Sequence, residues 1–370
     1  MSKLKTKLKI GILTLPLKGN YGGVLQAFAL LTYLKNEGYN AYLVDRQWDR
    51  SKKTIGFYVQ KFIYHEIIRG KVKKFCDKWI NPKTFSIDSQ EKMQQLNKED
   101  FDAFIVGSDQ VWRVENVGGV KNNYFLDFIS DKKVKKIAYA ASFGKDTVDG
   151  SDEKILKISK LLKDFNAISV REDTGVNICH DVFKVEASHV LDPVFLINKK
   201  EYLKTIDKNL KPLENTLITY VLDYNKKNEI IINDIAKKLN LKIQSINYKK
   251  DPALLIKNKA LDFYNYRYPS VSNWLRGFRD ADFIVTDSFH GTMFSVIFGK
   301  QFIVIGNEKR GLTRFTSFLK SVGLLNRLVL PSQGVDMDTV FEKIDYEKVN
   351  KILKIEKIKS KSFLETSILG

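Results

Sequence analysis

Only two cysteines occur in the 370 residues, Cys76 and Cys179, and they stand far apart in the chain. They match no metal-ligand spacing and give no disulfide framework, which fits a reducing cytoplasm. Histidine is as scarce. His65, His180, His189 and His290 include no H-x-x-x-H pair, which argues against a zinc site. No stretch approaches the roughly 18 uninterrupted apolar residues that would read as a membrane span. The start of the chain, Met1 to Lys7 and then Ile10 to Leu17, imitates a leader peptide. Its apolar run is short, holds Thr14 and Pro16 and lacks a small-residue cleavage site, so it reads as a first β-strand. A G-x-G-x-x-G turn and a Walker A loop are both missing, which weakens a dinucleotide or ATP reading. No linker is rich in Pro, Gly or Ser, so domain limits must come from the rhythm of strands and helices.

What the chain does have is positive charge: 62 Lys+Arg against 43 Asp+Glu, a formal net charge of +19. The lysines run along the whole sequence, with no Arg-rich arm and no zinc-finger or RNP signature, so nucleic acid is not an expected partner. Such a balance suits anionic small molecules or a peripheral contact with an anionic membrane surface, and also a merely solvated lysine-rich exterior. A hydrophobic content of 44% with 12% aromatics belongs to a folded globular protein. The length predicts two domains.

The first strand and helix follow at once. Leu8 to Leu15 is a continuous apolar run, the pattern of a central parallel strand. The loop Pro16 to Gly23 comes next, containing Asn20, Tyr21, Gly22 and Gly23. A helical pattern over Val24, Leu25, Phe28, Leu31, Tyr33 and Leu34 ends at Gly38, and Ala41 to Val44 is the next strand. This is a Rossmann-type unit. Ser51 to Trp79 is basic and aromatic at helical spacing and predicts one or two helices flanking the sheet. Phe101 to Val106, Lys136 to Ala141 and Ala167 to Val170 are further strands. They run into Gly107-Ser108-Asp109-Gln110-Val111-Trp112-Arg113, Ser142-Phe143-Gly144 and Arg171-Glu172-Asp173. A second series begins with the strand Leu217 to Val221 and ends with Gln301 to Ile305, the loop holding Glu308, the helix carrying Arg314 and a Lys-rich helix from Asp345 to Leu369. The boundary falls within 195–213. The expected domains are residues 1–195, the acceptor side, and 196–370, the donor side with the Lys-rich helix.

The stretch with most chemistry is Asp282 to Phe298. A short buried strand ends at Asp287, and a helix with apolar positions Phe289, Met293, Val296 and Ile297 follows. Between them stand Asp287, Ser288, His290, Gly291 and Thr292, where open α/β sheets bind ligands. A helix N-terminus there offers amides and a positive dipole end to an anion, and Gly291 would let that anion approach. His290 has the pKa range for proton transfer at neutral pH. The plain alternative is a capped helix start with Ser288 as N-cap. The D-x-D triplets at Asp100, Asp280 and Asp336 tempt a metal reading, but the first two precede strands and lie at the wrong edge of the sheet.

Taken together, Asn20-Tyr21-Gly22-Gly23, Val106-Gly107-Ser108-Asp109-Gln110-Val111-Trp112, Ala141-Ser142-Phe143-Gly144, Ser169-Val170-Arg171-Glu172, Leu191-Asp192-Pro193-Val194-Phe195 and Thr286-Asp287-Ser288-Phe289-His290-Gly291 resemble the blocks of the polysaccharide pyruvyl transferase family, in order and over roughly residues 10–325. The resemblance implies α/β architecture with two Rossmann-like domains facing across a cleft, as in GT-B glycosyltransferases. It implies a transferase with phosphoenolpyruvate as donor substrate, no cofactor and no metal, and a glycan or lipid-linked glycan as acceptor, forming a pyruvate ketal. Its location would be cytoplasmic, including the inner face of the membrane. Better-studied members look like Arg-Leu-His where this chain has Ser288-Phe289-His290, so the arginine for the donor's anionic groups must come from elsewhere.

On this basis His290, Asp287 and Asp109 are the catalytic candidates, with Asp287 orienting His290 or taking a proton and Asp109 polarising the acceptor hydroxyl. Arg171 is the first choice for the donor carboxylate and Arg314 the second. Ser288, Gly291 and Thr292 are expected at the phosphate, and Asn20, Tyr21, Gly22, Gly23, Ser108, Gln110 and Trp112 along the cleft. Asp192, before Pro193, reads as a structural turn residue. Two other classes stay open: a GT-B glycosyltransferase using a nucleotide-sugar, with Glu308 at the ribose, and a non-catalytic basic binding protein.

Overall fold

The computed structural model describes residues 8–17, 19–47, 70–113, 118–148, 150–247, 269–308 and 311–370. Its first sheet is built from β1 (Lys9–Leu13), β2 (Asn40–Leu43), β3 (Ala103–Val106), β4 (Lys135–Ala141), β5 (Ala167–Val170) and β6 (Ser188–His189). The strands lie in the order β2-β1-β3-β4-β5-β6, and all neighbours are parallel. These are the apolar runs of the sequence, because parallel strands are covered on both faces. Between β1 and β2 runs α1 (Tyr21–Asn36), buried on almost every side from Tyr21 to Tyr33. Of the basic aromatic stretch 51–79, residues 51–69 lie outside the described residues. The part that is described contains α2 (Gly70–Trp79), which lays Phe75 edge-on against Phe28 of α1 at 5.7 Å. α3 (Asp152–Leu162) follows β4.

The second sheet comprises β7 (Thr216–Tyr220), β8 (Lys242–Ser245), β9 (Phe283–Thr286), β10 (Gln301–Ile305) and β11 (Leu328–Val329), in the order β11-β10-β9-β7-β8 and again parallel. Its helices include α4 (Lys226–Leu239), α5 (Val271–Asp280), α6 (Phe289–Phe298) and α7 (Thr313–Ser321). The last helix, α8 (Tyr346–Leu369), starts on this half, where the Tyr346 hydroxyl donates to Lys300 O at 2.5 Å. Its far end crosses to the first sheet. There Ser360 Oγ accepts from Leu191 N at 2.9 Å, and Ile368 O accepts from Lys135 Nζ at 2.9 Å. The sequence had placed this helix wholly with the second domain.

Two of the D-x-D triplets tie strand entries together. Asp102 Oδ2 accepts from Lys9 N at 2.7 Å, and Asp282 Oδ2 from Thr216 N at 2.8 Å. They sit at the amino edges of the sheets, away from the strand ends that bind ligands.

In each sheet the order reverses at an inner strand: β1 has β2 and β3 on its two sides, and β7 has β8 and β9. Those are the switch points where open α/β sheets form a crevice at the carboxyl ends. The chain is thus two Rossmann-like α/β domains, the GT-B-like fold expected from the sequence. One continuous core joins them: Tyr21 of α1 stacks on Trp274 of α5 at 5.4 Å, and its hydroxyl donates to Pro269 O at 2.6 Å. No helix among the described residues is long and apolar enough to cross a membrane.

Candidate active site

The first sheet supplies a buried charge network. β3 delivers Ser108 and Asp109, and Asp109 takes a left-handed backbone, φ +82°. A non-glycine residue rarely adopts that conformation, and such strain gathers at functional sites. The Asp109 carboxylate accepts from its neighbour Gln110 N at 2.9 Å and from Asn20 Nδ2 at 3.3 Å. β5 delivers Arg171, whose side chain is wholly buried. Its guanidinium reaches Asp192 at 3.0 Å, Asp109 at 3.5 Å and Glu172 at 3.8 Å. Burial alone would raise the Asp109 pKa, but Arg171, and then His290, hold it below the usual carboxylate range. Burial would likewise lower the Arg171 pKa; Asp192, Asp109 and Glu172 raise it instead. Both groups therefore stay charged at neutral pH. Glu172 Oε1 in turn accepts from Phe143 N at 2.8 Å and Gly144 N at 3.2 Å, fixing the Ser142–Gly144 loop. A bulge in β4 helps: Ala140 has φ +53°, and its amide donates to Ser169 Oγ at 3.1 Å. Such a bulge re-aims the strand end next to a site.

The second sheet supplies His290, in the first turn of α6. Ser288 is the N-cap, its Oγ accepting from Gly291 N at 3.4 Å. The imidazole packs against Gly22, across the junction. A Cβ at Gly22 would fall 2.1 Å from His290 Nδ1, so only glycine leaves room for the ring. His290 Nε2 stands 3.8 Å from Asp192 Oδ2 and has no hydrogen-bond partner among the described residues. Burial, outweighing the opposing pull of Asp192, lowers the His290 pKa. The ring is neutral at pH 7, and its charged form is the costly one. Both arginines approach the Phe289 ring, the Arg171 guanidinium at 4.9 Å and the Arg314 guanidinium at 5.7 Å from its centre. Arg314, on α7, adds positive potential at both Asp109 and His290.

Several expectations are corrected here. The residues expected along an open cleft are mostly buried, since the halves meet over them: His290 is 7% exposed, Asp109 5% and Arg171 2%. Arg171 does not present an open fork to a donor, because three carboxylates surround it. Asp287 is engaged with the backbone next to its strand and is not seen to orient His290. Its oxygens accept from Leu222 N at 2.6 Å and Asp223 N at 2.8 Å, tying the loop after β7 to β9. Gly291 serves helix packing, not ligand approach: a Cβ there would meet Thr286 Oγ1 at 2.3 Å and the Tyr220 ring at 3.1 Å. Thr292 N is taken by Ser288 O at 2.9 Å. Trp112 is core, stacked on Phe125 at 5.7 Å with its indole N–H on Tyr124 O at 2.9 Å. Tyr21 is an inter-sheet brace, as described above. Gln110 Oε1 accepts from Arg113 Nη1 at 2.9 Å, at the edge of the network. Ser108 is wholly buried and donates to Asp192 Oδ2 at 2.8 Å. Glu308 is exposed on the loop after β10, its carbonyl accepting from Gly311 N.

Asp192 is the residue that sequence reasoning missed. It does cap the turn, with Oδ1 accepting from Val194 N at 3.2 Å. Its other oxygen stands at the centre of the network. The signals for it were its place just after the last strand of the first sheet and its block, Leu191-Asp192-Pro193-Val194-Phe195. Among the described residues no group of three or more His, Cys, Asp or Glu side chains is arranged to hold a metal ion.

A model of the family described as polysaccharide pyruvyl transferase matches residues 20–309. No curated protein matches the chain by sequence. The S. aureus MnaA–UDP co-structure is similar over 94% of this chain and 90% of that one, with a TM-score of 0.52 and 14% identity. The glycotransferase of kitacinnamycin is similar over 97% of this chain and 98% of that one, with a TM-score of 0.52 and 9% identity. At such identities the likeness is one of fold. The family match runs from the Asn20 loop through the Arg171 network to the helix carrying His290, and on that span the chain belongs to the polysaccharide pyruvyl transferase family and is a transferase.

Proposed function

We propose that the protein moves the pyruvyl group of phosphoenolpyruvate onto two hydroxyls of one sugar in a cell-surface polysaccharide or its lipid-linked precursor. The observation that carries this reading is His290: a buried, neutral imidazole at a helix N-terminus, in the positive potential of Arg171 and Arg314 and facing a carboxylate network. The reaction balances with no other reagent. One hydroxyl adds to C2 and its proton ends on C3, which becomes the methyl group. The second hydroxyl adds as the C2–O bond to phosphate breaks, and its proton leaves with the phosphate. Positioned acid–base groups contribute about 10²–10⁴-fold to such transfers.

The donor's phosphate fits the start of α6. Ser288 already uses the Gly291 amide, so the amides at the first two helical positions, Phe289 and His290, are the ones without an intrahelical acceptor. For the carboxylate Arg314 now leads over Arg171, because Arg171 is enclosed by acids. The acceptor belongs on the first-domain side, by Asn20 and Asp109. Substrates enter when the halves part, and closure brings His290 onto Gly22 and excludes water. The same reading places the enzyme in the cytoplasm, at the inner membrane face when the acceptor is lipid-linked. It needs no metal: EDTA should leave phosphate release unchanged, and restoration of lost activity by Mg²⁺ would contradict this.

The deciding experiment is a thermal-shift series with phosphoenolpyruvate and UDP-sugars, followed by transfer of carbon-labelled phosphoenolpyruvate to lipid-linked glycans with phosphate release. A ligand at about 100 times its Kd stabilises by about 2.7 kcal/mol. Phosphoenolpyruvate should raise Tm and label the glycan. Stabilisation by a UDP-sugar alone would point to a glycosyltransferase instead.

A further inference from the structure

We propose that Asp192 is the positioning carboxylate of His290, and that it makes Nδ1, over Gly22, the working nitrogen of the ring. The inference rests on the proton-transfer role given to His290 above. It starts from an incomplete pair. His290 Nε2 is buried without a hydrogen-bond partner among the described residues, and the nearest carboxylate oxygen, Asp192 Oδ2, is 3.8 Å away. A buried polar nitrogen left unmatched costs free energy, so this one marks a contact that the working enzyme completes. Closing the gap by about 1 Å gives an ordinary N–H···O bond.

Asp192 is built to stay where it is. Its Oδ1 accepts from Val194 N, and its Oδ2 accepts from Ser108 Oγ at 2.8 Å and Arg171 Nη1 at 3.0 Å. Ser108 is anchored behind it, its carbonyl accepting from the Thr14 hydroxyl, which in turn accepts from Gln26 Nε2 at 2.8 Å. The carboxylate therefore cannot swing away when the ring moves. A ring nitrogen facing a fixed carboxylate carries the proton, because two acceptors repel. Nε2 is then N–H, and Nδ1 keeps the lone pair. The ring takes up the space that a Cβ on Gly22 would need, which sets Nδ1 beside the Gly22 backbone; unlike Nε2, Nδ1 is not a buried atom without a partner.

In the addition step the hydroxyl O–H bond breaks as its oxygen bonds to C2. Nδ1 takes that proton and passes it to C3, which the double-bond electron pair binds. While the ring holds both protons its charge faces Asp192. The other charged groups bearing on the ring are Asp109, which also favours the cation, and Arg171 and Arg314, which oppose it. Tyr139 and Tyr202 feel the Asp192 charge too, but both are buried and kept protonated. The pair also joins the two domains: the carboxylate follows β6 and the imidazole follows β9. The base is complete only when the halves are together.

The test is ¹⁵N NMR of histidine-labelled full-length protein, with the His290 ring assigned by its loss in His290→Gln. In the wild type the neutral ring should be the Nε2–H tautomer, and an Nδ1–H tautomer overturns the proposal. Asp192→Asn should lower the His290 pKa by one unit or more and shift the acidic limb of the kcat profile with it, while the donor KM stays within twofold. An unchanged pKa in a folded Asp192→Asn protein overturns it as well. If that variant does not fold, the wild-type tautomer still decides. The tautomer is read without turnover, so an Nε2–H ring in a protein that does not use phosphoenolpyruvate would reject the proposed reaction and leave the pair standing.

Discussion

The loops after β3 and β5 and the loop after β9 carry the same kinds of residue and spend them differently. In the first domain Asp109, Arg171, Glu172 and Asp192 are tied to one another, and every charge has an opposite charge within 3.8 Å. In the second, Asp287 holds two backbone amides and Ser288 caps the helix, while His290 Nε2 has no hydrogen-bond partner among the described residues. One side is a rigid frame; the other presents the group that reacts. A motif rich in acids and arginine can thus be scaffold, and the chemistry can rest on a single neutral ring laid against it.

The sharpest way to break this comparison is to remove the ring. His290→Gln should lower kcat by about 10²–10⁴-fold, the range for a lost acid–base group. Gln keeps a polar tip of similar reach in this buried position, so the variant should fold, and its Tm is read beside kcat to separate the two effects. A kcat loss below about tenfold with saturating acceptor would take proton transfer away from His290.

The frame should answer in stability instead. Arg171→Met leaves Asp109, Glu172 and Asp192 buried beside one another without their cation. Removing one partner of a buried ion network costs about 3–5 kcal/mol, readable in urea unfolding. Arg314→Met should do the reverse, losing less stability and raising the KM for phosphoenolpyruvate about tenfold or more, since a hydrogen bond to a charged group is worth about 1.5–3 kcal/mol. Equal effects of the two variants on KM would erase the distinction between scaffold and donor arginine.

These roles also show what the sequence could and could not reveal. β1, β3, β9 and β10 were legible because a strand covered on both faces must be a run of apolar residues. That His290, Asp109 and Arg171 share a site was legible too, because each follows such a strand. Their partners were not. Whether an aspartate turns toward a neighbouring loop or toward the site depends on which strand lies beside its own, and Asp287 faces β7 only because β7 and β9 are neighbours. Trp112 followed the same rule into the core. Asp192 was hidden for another reason: Asp-Pro is a turn signal, and here the turn is real. The two carboxylate oxygens do different work, and a sequence pattern reports only the local one.

Ser288→Ala is a milder probe. If the hydroxyl only caps α6, its loss costs about 1 kcal/mol and leaves the donor KM within about twofold. A tenfold rise in KM with unchanged stability would move Ser288 from the frame to the donor.

The smallest effect concerns pH. His290 has its pKa lowered by burial, against Asp192, which raises it. A base whose folded pKa lies below its unfolded value, about 6.5 for histidine, binds protons more readily when unfolded. Its contribution to stability is therefore complete above about pH 6.5 and is lost as pH falls from there toward the folded pKa. Asp109, also lowered, works in the same direction but only below about pH 4, where free carboxylates titrate. The two windows do not overlap, so the mildly acidic one isolates the ring. Between pH 7 and pH 6 one such proton is worth less than about 0.7 kcal/mol, so the comparison must be made against His290→Gln in parallel urea titrations. The wild type should lose stability over that interval by more than the variant does. Equal slopes would mean that the ring is as easily protonated in the folded protein as in the unfolded chain. Burial would then not be what keeps His290 neutral, and the contrast between a charged frame and a reacting group held neutral by its surroundings would lose its physical cause.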